Sequence, residues 1–297
     1  MPTVSSQHSR LSSIDVLRGM IMIVMALDHT RDFFHIEAVT GSPTNIDTTT
    51  PILFFTRWIT HFCAPLFVFL AGLSASLGKE KRGISGQKRF LLTRGIWLIV
   101  LELVCFNLIF TFDPAFHFLG LNVLSVTGAS MILLAWMMQF PLWMILVTGM
   151  ILVAGHNLLD SYNAAPGVLP SLGWSLLHQQ SFRLFAQNHV FAVLYPLIPW
   201  PGIILLGYAT GNWFTPGYDP VKRRKNLLIA GLLAVLIFLV LRWINRYGDP
   251  APREIRKDWI KNILSYFNTT KYPPSLQFAA MTIGPGLLLL AWLEKQK

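Results

Sequence analysis

Residues 13–35 read SIDVLRGMIMIVMALDHTRDFFH, and this segment decides the fold class. Its length and apolar centre are typical of a helix that crosses a membrane. It nevertheless carries seven ionisable side chains: Asp15, Arg18, Asp28, His29, Arg31, Asp32 and His35. Charged groups inside a bilayer are energetically costly and usually functional. We therefore take the segment as both the first span and the first candidate site.

The rest of the sequence is also typical of a multi-span membrane protein. Of the 297 residues, 53% are hydrophobic and only 13% are charged, and the mean hydropathy is +0.51. The formal net charge of +10 does not favour nucleic-acid binding, because the basic residues stand in short runs between apolar segments. His8 and Arg10 precede the first span with no convincing cleavage site, so we expect an uncleaved span.

Eight apolar segments are long enough to cross a hydrocarbon core of about 30 Å. They cover residues 14–34, 52–77, 95–112, 118–138, 141–158, 190–213, 227–243 and 275–293. Basic runs at 79–94 and 222–225 place both of these loops, and with them the N-terminus, in the cytoplasm. The predicted outer loop 244–274 conflicts with this rule, because it carries six basic residues.

We therefore predict an all-α fold, a polytopic integral membrane helix bundle of about eight transmembrane helices with a cytoplasmic N-terminus. Residues 1–297 are expected to form a single domain. The two cysteines lie in apolar runs and predict no disulfide framework. Glycines within the spans predict close helix contacts, since no phosphate-binding glycine motif occurs.

The outer end of the first span is the densest candidate site. At about 100° per residue, Arg18 and His29 return to nearly the same face of a helix, with a rise of roughly 16 Å between them. Asp32, three positions after His29, can hold one imidazole nitrogen while the other acts as a general base. Asp28 points about 100° away from His29, so it is less suited to orient that ring. Arg31 can pair with Asp28 or with a neutral histidine, His35.

The second span adds Arg57 and His61, which lie four residues apart on one helix face and near the predicted depth of His29. Both could instead be structural, with Arg57 reaching outward to the interface and His61 bonding a backbone carbonyl. His156 and Asp160 close the fifth span, where they can cap the helix or touch a substrate. Neither an HExxH motif nor a paired-cysteine spacing occurs, so no metal is expected.

Four blocks of sequence keep their order from about residue 10 to 291: RLSSIDVLRGMIMIVMALDHTRDFFH, HFCAPLFVFLAGLSASL, YPLIPWPGIILLGYATG and NTTKYPPSLQFAAMTIGPGLLLLA. Together they resemble the bacterial membrane branch of the heparan-alpha-glucosaminide N-acetyltransferase-like family. The first block and the NTTKYPPSL segment are the more specific ones. Members of that family are similar in using cytosolic acetyl-CoA to acetylate a sugar on the opposite side of the membrane.

The resemblance implies an integral membrane acyltransferase of the bacterial inner membrane. It implies acetyl-CoA as donor and a hydroxyl or amine of a sugar or glycan as acceptor. The spacing of Arg18 and His29 is also similar to a motif of the wider membrane O-acyltransferase group, which implies that His29 is the base and that Arg18 faces the acyl-CoA. The lysosomal enzyme of the family has asparagine at the position of His29, which leaves His35 and His61 as further candidates.

These considerations assign three sets of residues. Catalytic roles are expected for His29, Asp32, Asp28 and His61. Donor binding is expected from Arg18, Arg94 and Arg57, and acceptor contacts from Arg31, His35, Asn268 and Lys271. Bacterial members of the family usually continue with further hydrophobic helices after the last block, so the resemblance implies either a form shortened at its C-terminus or further spans that are dispensable.

Two other classes of protein remain open. A proton-coupled transporter would relay protons through intramembrane acids and histidines, including Glu102. Such a protein often shows internal duplication, which the two halves do not show convincingly. A non-catalytic membrane partner is the other class.

Polar residues of the third and fourth spans either line a polar path or bind the helices together: Glu102, Asn107, Ser125 and Thr127. The oligomeric state is not indicated.

Overall fold

A computed structural model describes residues 12–36, 41–162 and 168–295, so His8, Arg10 and the last two residues lie outside the described part. The fold is mostly helical. The helices are α1 (Ser12–Phe34), α2 (Pro51–Thr60), α3 (Cys63–Val100), α4 (Asn107–Thr111), α5 (Val123–Met137), α6 (Leu142–Gly155), α7 (Val168–Leu177), α8 (Pro199–Gly211), α9 (Pro220–Ile244), α10 (Trp259–Phe267) and α11 (Leu276–Lys295). A π-helical segment, Leu101–Phe106, joins α3 to α4, and short 3-10 turns extend α6 and α8.

Four helical segments of the described chain are long and apolar enough to cross a membrane: Pro51–Thr111, Leu142–Leu159, Pro220–Ile244 and Leu276–Lys295. α1 has 23 residues but carries charges at both ends. α5 is apolar but has only 15 residues. The protein is thus an integral membrane protein with several spans, and the count of eight stays a prediction.

Exposed apolar side chains mark the lipid-facing surfaces of the bundle. Monomeric soluble proteins rarely expose large contiguous apolar patches. In α9 and α6, large apolar side chains are exposed over several helical turns, including Leu232, Leu233, Leu236, Val240, Trp243, Leu146, Met150 and Ile151. This distribution is expected for helices that contact lipid.

The run Pro51–Thr111 contains two predicted spans and the basic segment between them. Gly83 interrupts α3 with a φ of 69° and a ψ of 172°, a conformation that favours glycine. In a straight helix, positions 78 and 87 would be about 13 Å apart. Here a Cβ built on Gly78 would lie only 2.5 Å from Gln87 Oε1. The chain therefore turns sharply at Gly83. The predicted loop 79–94 is helical on both sides of this bend, and the two arms of α3 correspond to the two spans.

The prediction of an all-α fold is wrong at one place. Three short strands, β1 (Phe118–Leu121), β2 (Ser181–Ala186) and β3 (His189–Val193), form a sheet in the order β1-β3-β2. β3 pairs in parallel with β1 and antiparallel with β2. β1 and β3 occupy the first residues of the predicted spans 118–138 and 190–213, because short apolar runs fit a strand or a helix equally well by hydropathy.

α3 and α8 cross closely near the centre of the bundle, while α5 packs on α3 and α9 packs on α11. Glycines permit this crossing, as the sequence predicted. A Cβ on Gly72 would collide with the Ile204 carbonyl oxygen, and a Cβ on Gly207 would collide with the Phe69 carbonyl oxygen.

The two basic segments and the helices nearest both termini meet at one end of the bundle, here called the basic end. Ser13 in α1 donates a hydrogen bond to Glu294 in α11, and Glu294 also pairs with Arg223 in α9. The bend at Gly83 lies there too. The opposite end carries the sheet, α10 and the segment that precedes α11. Both basic segments and the start of α1 therefore lie at the same end of the bundle, while the side of the membrane that this end faces stays a prediction.

Candidate functional site

A pocket of about 860 Å³ lies at the basic end. Residues of α1, of both arms of α3 and of the turn after α8 form its walls. Four basic side chains line it together with two acidic ones: Arg18, Lys81, Arg82, Arg223, Asp15 and Glu80. Its remaining lining is largely apolar, so the pocket combines an apolar lining with an excess of basic over acidic side chains.

Arg18 is the predicted donor-binding residue that lies in this pocket. Its guanidinium group donates to the Ser74 hydroxyl and, at 3.4 Å, to the Leu70 carbonyl oxygen. Its Nη1 is 3.5 Å from Asp15 Oδ1, and 36% of the side chain is exposed. The contacts fix Arg18 against α3 and leave part of its guanidinium group accessible.

The other two predicted donor-binding residues are placed elsewhere. Neither Arg94 nor Arg57 is among the described residues that line the pocket. Arg94 stands one helical turn beyond the lining residue Phe90, with its guanidinium carbon 5.5 Å from the ring centroid. Arg57 lies at the opposite end of the bundle, where it pairs with Asp28.

Asp28, Arg31, Asp32, Arg57 and Thr60 form a polar cluster at the far end of α1. Asp28 accepts hydrogen bonds from Thr60 Oγ1 at 2.6 Å and from Arg57 Nη1 at 3.0 Å, and it pairs with Arg31. Asp32 Oδ1 accepts from Arg31 Nη2 at 2.6 Å, and Asp32 Oδ2 is 3.8 Å from Arg57 Nη1. Each carboxylate therefore faces two guanidinium groups, which compensates the burial of Asp28 in particular.

His61 lies beside the polar cluster at the junction of α2 and α3. Only 3% of the residue is exposed, and its Nδ1 is buried without a hydrogen-bond partner among the described residues. Lys271 interacts electrostatically with both Asp28 and His61. Tyr272 lies close to Arg57. The segment before α11 thus meets α1 and α2 at this cluster.

His29 is exposed, and the expected orienting bond from Asp32 is not formed between these two described residues. Asp32 is engaged by Arg31 instead. Helix geometry places His29 about 20° from Arg18 around the α1 axis, so it lies on the side of α1 that lines the pocket through Ile14, Asp15 and Arg18. It is not itself among the lining residues.

α1 and α3 pack together between the pocket and the polar cluster. Cys63 Sγ lies 3.7 Å from the Ile21 carbonyl oxygen, and Ile21, Leu66 and Leu70 are buried. The described lining residues of the pocket therefore stop short of Asp28 and His61.

The predicted acceptor-binding residues fall in different surroundings. Arg31 is buried in the polar cluster and Lys271 lies beside it, whereas His35 is exposed just after α1. Asn268 anchors a loop: its Nδ2 donates to the Thr44 carbonyl oxygen at 3.1 Å. The four residues do not form one surface.

Two polar residues of the third span bind elements together, which confirms one of the two interpretations offered for them. Glu102 accepts hydrogen bonds from three backbone N–H groups at the start of α5, those of Asn122 (2.8 Å), Leu124 (3.1 Å) and Ser125 (2.7 Å). Asn107 bonds both backbone polar groups of Gly120 in β1, at 2.7 and 3.2 Å.

Sequence reasoning missed several functional candidates. Lys81, Arg82 and Arg223 were interpreted only as orientation signals, although they line the pocket. His156, Asp160 and His178 come together at the opposite end of the bundle. The spacing of His156 and Asp160 was a signal, but nothing in the sequence links them to His178.

Residues 10–242 match a family described as heparan-alpha-glucosaminide N-acetyltransferase, catalytic. The chain belongs to this family. The match includes α1, the pocket and the whole polar cluster, and it ends before the NTTKYPPSL segment. It supports a membrane acetyltransferase and does not favour the transporter. No individual curated protein matches the sequence.

Proposed function

We propose that the protein transfers an acetyl group from acetyl-CoA, bound in the pocket at the basic end, to a hydroxyl or amine of a sugar or glycan. The pocket is the observation that carries this proposal. Its volume of about 860 Å³ falls within the usual range for small-molecule sites. Arg and Lys side chains are the groups that recognise phosphates, and four of them line the pocket.

The distribution of charge supports a cytoplasmic position for the pocket. The basic runs 79–94 and 222–225 lie at its end of the bundle, and such runs favour the cytoplasmic side. Acetyl-CoA would then enter from the cytoplasm, and the acceptor would approach from the polar cluster on the outer side. The bacterial inner membrane as the location follows from the resemblance alone.

His29 is the proposed general base. It removes the proton from the acceptor as the acceptor oxygen or nitrogen attacks the thioester carbonyl. The carbon–sulfur bond breaks, and the coenzyme thiolate leaves and takes up that proton. Arg18 holds the donor, while Asp28 and Arg57 fix the outer end of α1. For Asp32 to orient His29, its carboxylate must release Arg31.

His61 is the second candidate base, because it is buried with one unpartnered ring nitrogen beside the charged residues of the polar cluster. Either assignment requires the thioester to pass the packed contact between α1 and α3. The side of α1 that carries both Arg18 and His29 offers the shortest route for the flexible pantetheine arm.

Donor binding is tested first, by the thermal stability of the purified protein with and without acetyl-CoA. Ligand at 100 times its Kd stabilises a folded protein by about 2.7 kcal/mol. We expect a higher Tm for the wild type and for Lys88→Ala, since Lys88 stacks on Trp136 and does not line the pocket. Arg18→Ala should lose most of the shift. An unshifted wild type contradicts the proposal.

Catalysis is tested by the transfer of labelled acetyl groups to a panel of amino sugars and glycans in proteoliposomes. His29→Ala should lower the rate by about 100-fold to 10,000-fold, the usual contribution of a general base, while the Tm shift with acetyl-CoA persists. His117→Ala is the matched control, because this exposed histidine belongs to none of the proposed catalytic or binding sets, and it should keep the wild-type rate. A His29→Ala protein that is active, beside an inactive His61→Ala protein, would move the base to His61.

A further inference from the structure

We propose that His156, Asp160 and His178 bind one divalent transition-metal ion, with Zn²⁺ as the best fit. His156 begins the 3-10 turn after α6, Asp160 follows it, and His178 follows α7. Each residue offers a ligand atom, and these atoms lie within 4.8 Å of one another. Ligand atoms around tetrahedral zinc are about 3.4 Å apart, a separation that small side-chain rotations can reach.

The buried ring nitrogens are the second observation that points to a ligand. His156 is 2% exposed and His178 is 5% exposed. One ring nitrogen of His156 lies within hydrogen-bonding reach of the Pro274 carbonyl oxygen. The other ring nitrogen of His156 and the Nδ1 of His178 have no hydrogen-bond partner among the described residues. A buried polar group without a partner costs about 1–3 kcal/mol. A metal ion would give the remaining His156 nitrogen a partner that the described residues do not supply, with the Pro274 carbonyl oxygen holding the other side of the ring.

Asn157 orients the carboxylate of this site. Its Nδ2 donates to Asp160 Oδ2 at 2.8 Å, which leaves Asp160 Oδ1 directed at His178 Nε2, 3.0 Å away. Asn157 Oδ1 in turn accepts a hydrogen bond from the Leu276 N–H at 2.9 Å, at the start of α11. Metal-ligating side chains are commonly held by such outer contacts.

The donor set indicates the class of metal. Imidazole suits zinc and other late first-row ions, and two imidazoles with one carboxylate leave a fourth tetrahedral position open. A cavity of about 160 Å³ is lined by Asp160, His178 and Tyr272, which provides room for a water ligand. Because Tyr272 also lies close to Arg57, a bound ion would stabilise the segment beside the polar cluster. The site departs from the expectation that no metal is bound.

The competing interpretation is a hydrogen bond between His178 and Asp160 with His156 packed beside it. The chain offers a matched comparison of that kind. His117 Nδ1 lies 2.8 Å from Asp113 Oδ2, and the His117 ring centroid is 4.8 Å from that of His189. The His117 side chain is 52% exposed, however. The group of His117, Asp113 and His189 therefore serves as the control, because it has the same residue types but its His117 side chain is exposed.

The experiment measures metal uptake by the full chain, purified without a polyhistidine tag, stripped with a chelator and reloaded with Zn²⁺ or Co²⁺. We expect about one ion per chain for the wild type and for His117→Ala. Co²⁺ should give the absorption of a tetrahedral site. His156→Ala and His178→Ala should retain less than about a tenth of the metal, and Asn157→Leu should bind it about 10-fold to 100-fold more weakly.

Two results would overturn the proposal. One is a wild-type chain that takes up neither ion after reloading. The other is full uptake by His156→Ala or His178→Ala. If the histidine variants do not fold, Asp160→Asn decides the question, because it keeps the shape of the side chain but removes the anionic ligand. Wild-type zinc affinity in that variant counts against the site, and a loss of at least about tenfold supports it.

Discussion

Arg242 shows at the scale of one residue how the loop 244–274 is held. Only 1% of the residue is exposed. Its guanidinium group donates to five acceptors, the carbonyl oxygens of Tyr266, Ala251, Ser265 and Asn268 and the side chain of Gln277. Four of these acceptors belong to the loop, so one side chain fixes the chain on both sides of α10.

Arg242→Leu should lower the free energy of unfolding by about 3 kcal/mol, because several buried acceptors lose their donor at a cost of about 1–3 kcal/mol each. Thermal or denaturant unfolding in detergent measures the change. Arg246→Leu is the matched control, since Arg246 is exposed on the same turn, and it should stay within about 0.5 kcal/mol of the wild type. Equal stabilities of the two variants would refute this role for Arg242.

The basic residues of loop 244–274 conflicted with the charge rule because the rule ignores tertiary contacts. Arg253 lies over the rings of Trp243 and Tyr266, at 5.5 and 5.7 Å. Arg256 pairs with Glu254 and Asp47. These side chains stabilise the folded loop through their contacts. The number of basic residues in the loop therefore says little about which side of the membrane the loop occupies.

Local spacing was enough to predict part of the candidate site. Asp28 and Arg31 lie three residues apart, so helix geometry alone permits their pairing. The contribution of Thr60 could not be predicted, because it depends on how α2 crosses α1. The bond from Asp32 to His29 was expected from spacing, but Arg31 competes for the same carboxylate.

At the scale of elements, the contact between α3 and α8 depends on two glycines. Gly72 faces the Ile204 carbonyl oxygen and Gly207 faces the Phe69 carbonyl oxygen, so each helix presents a glycine to the backbone of the other. In lipid, helix association depends on such close packing, since no hydrophobic driving force acts between the helices.

Gly72→Ala and Gly207→Ala should each destabilise the protein by about 1–3 kcal/mol, because the added methyl group collides with backbone that cannot rotate away. Gly19→Ala is the control: no atom lies within 4 Å of a Cβ built there, and alanine favours a helix by up to about 1 kcal/mol over glycine. Thermal unfolding in detergent should give a lower Tm for the first two variants only. A Gly72→Ala protein as stable as Gly19→Ala would show that the helices can separate without cost.

Hydropathy predicted helices better than strands. The spans 52–77 and 95–112 correspond to the two arms of the helical run bent at Gly83. Residues 118–121 and 190–193 were assigned to helices but form β1 and β3. Their pairing joins segments about 70 residues apart, and periodicity within one segment carries no information about such a partner.

At the scale of the whole molecule, the groups proposed to act in function are divided between the two ends of the bundle. The basic end holds the pocket, and the opposite end holds the polar cluster and the three residues proposed to bind metal. α1 reaches both ends, with Arg18 near one and Asp28 near the other. The proposed transfer across the membrane needs this arrangement, because in that proposal donor and acceptor approach from different sides.

The orientation of the two ends is tested by labelling with a membrane-impermeant maleimide in bacteria that express the protein. Lys225 and Lys257 are both exposed and lie at the basic end and the opposite end respectively. We expect Lys257→Cys to react in intact cells and Lys225→Cys to react only after permeabilisation, because basic runs favour the cytoplasm. The unsubstituted chain is the control, since Cys63 is buried and Cys105 lies within an apolar helical run. The reverse pattern would put the pocket outside, where cytosolic acetyl-CoA cannot reach it.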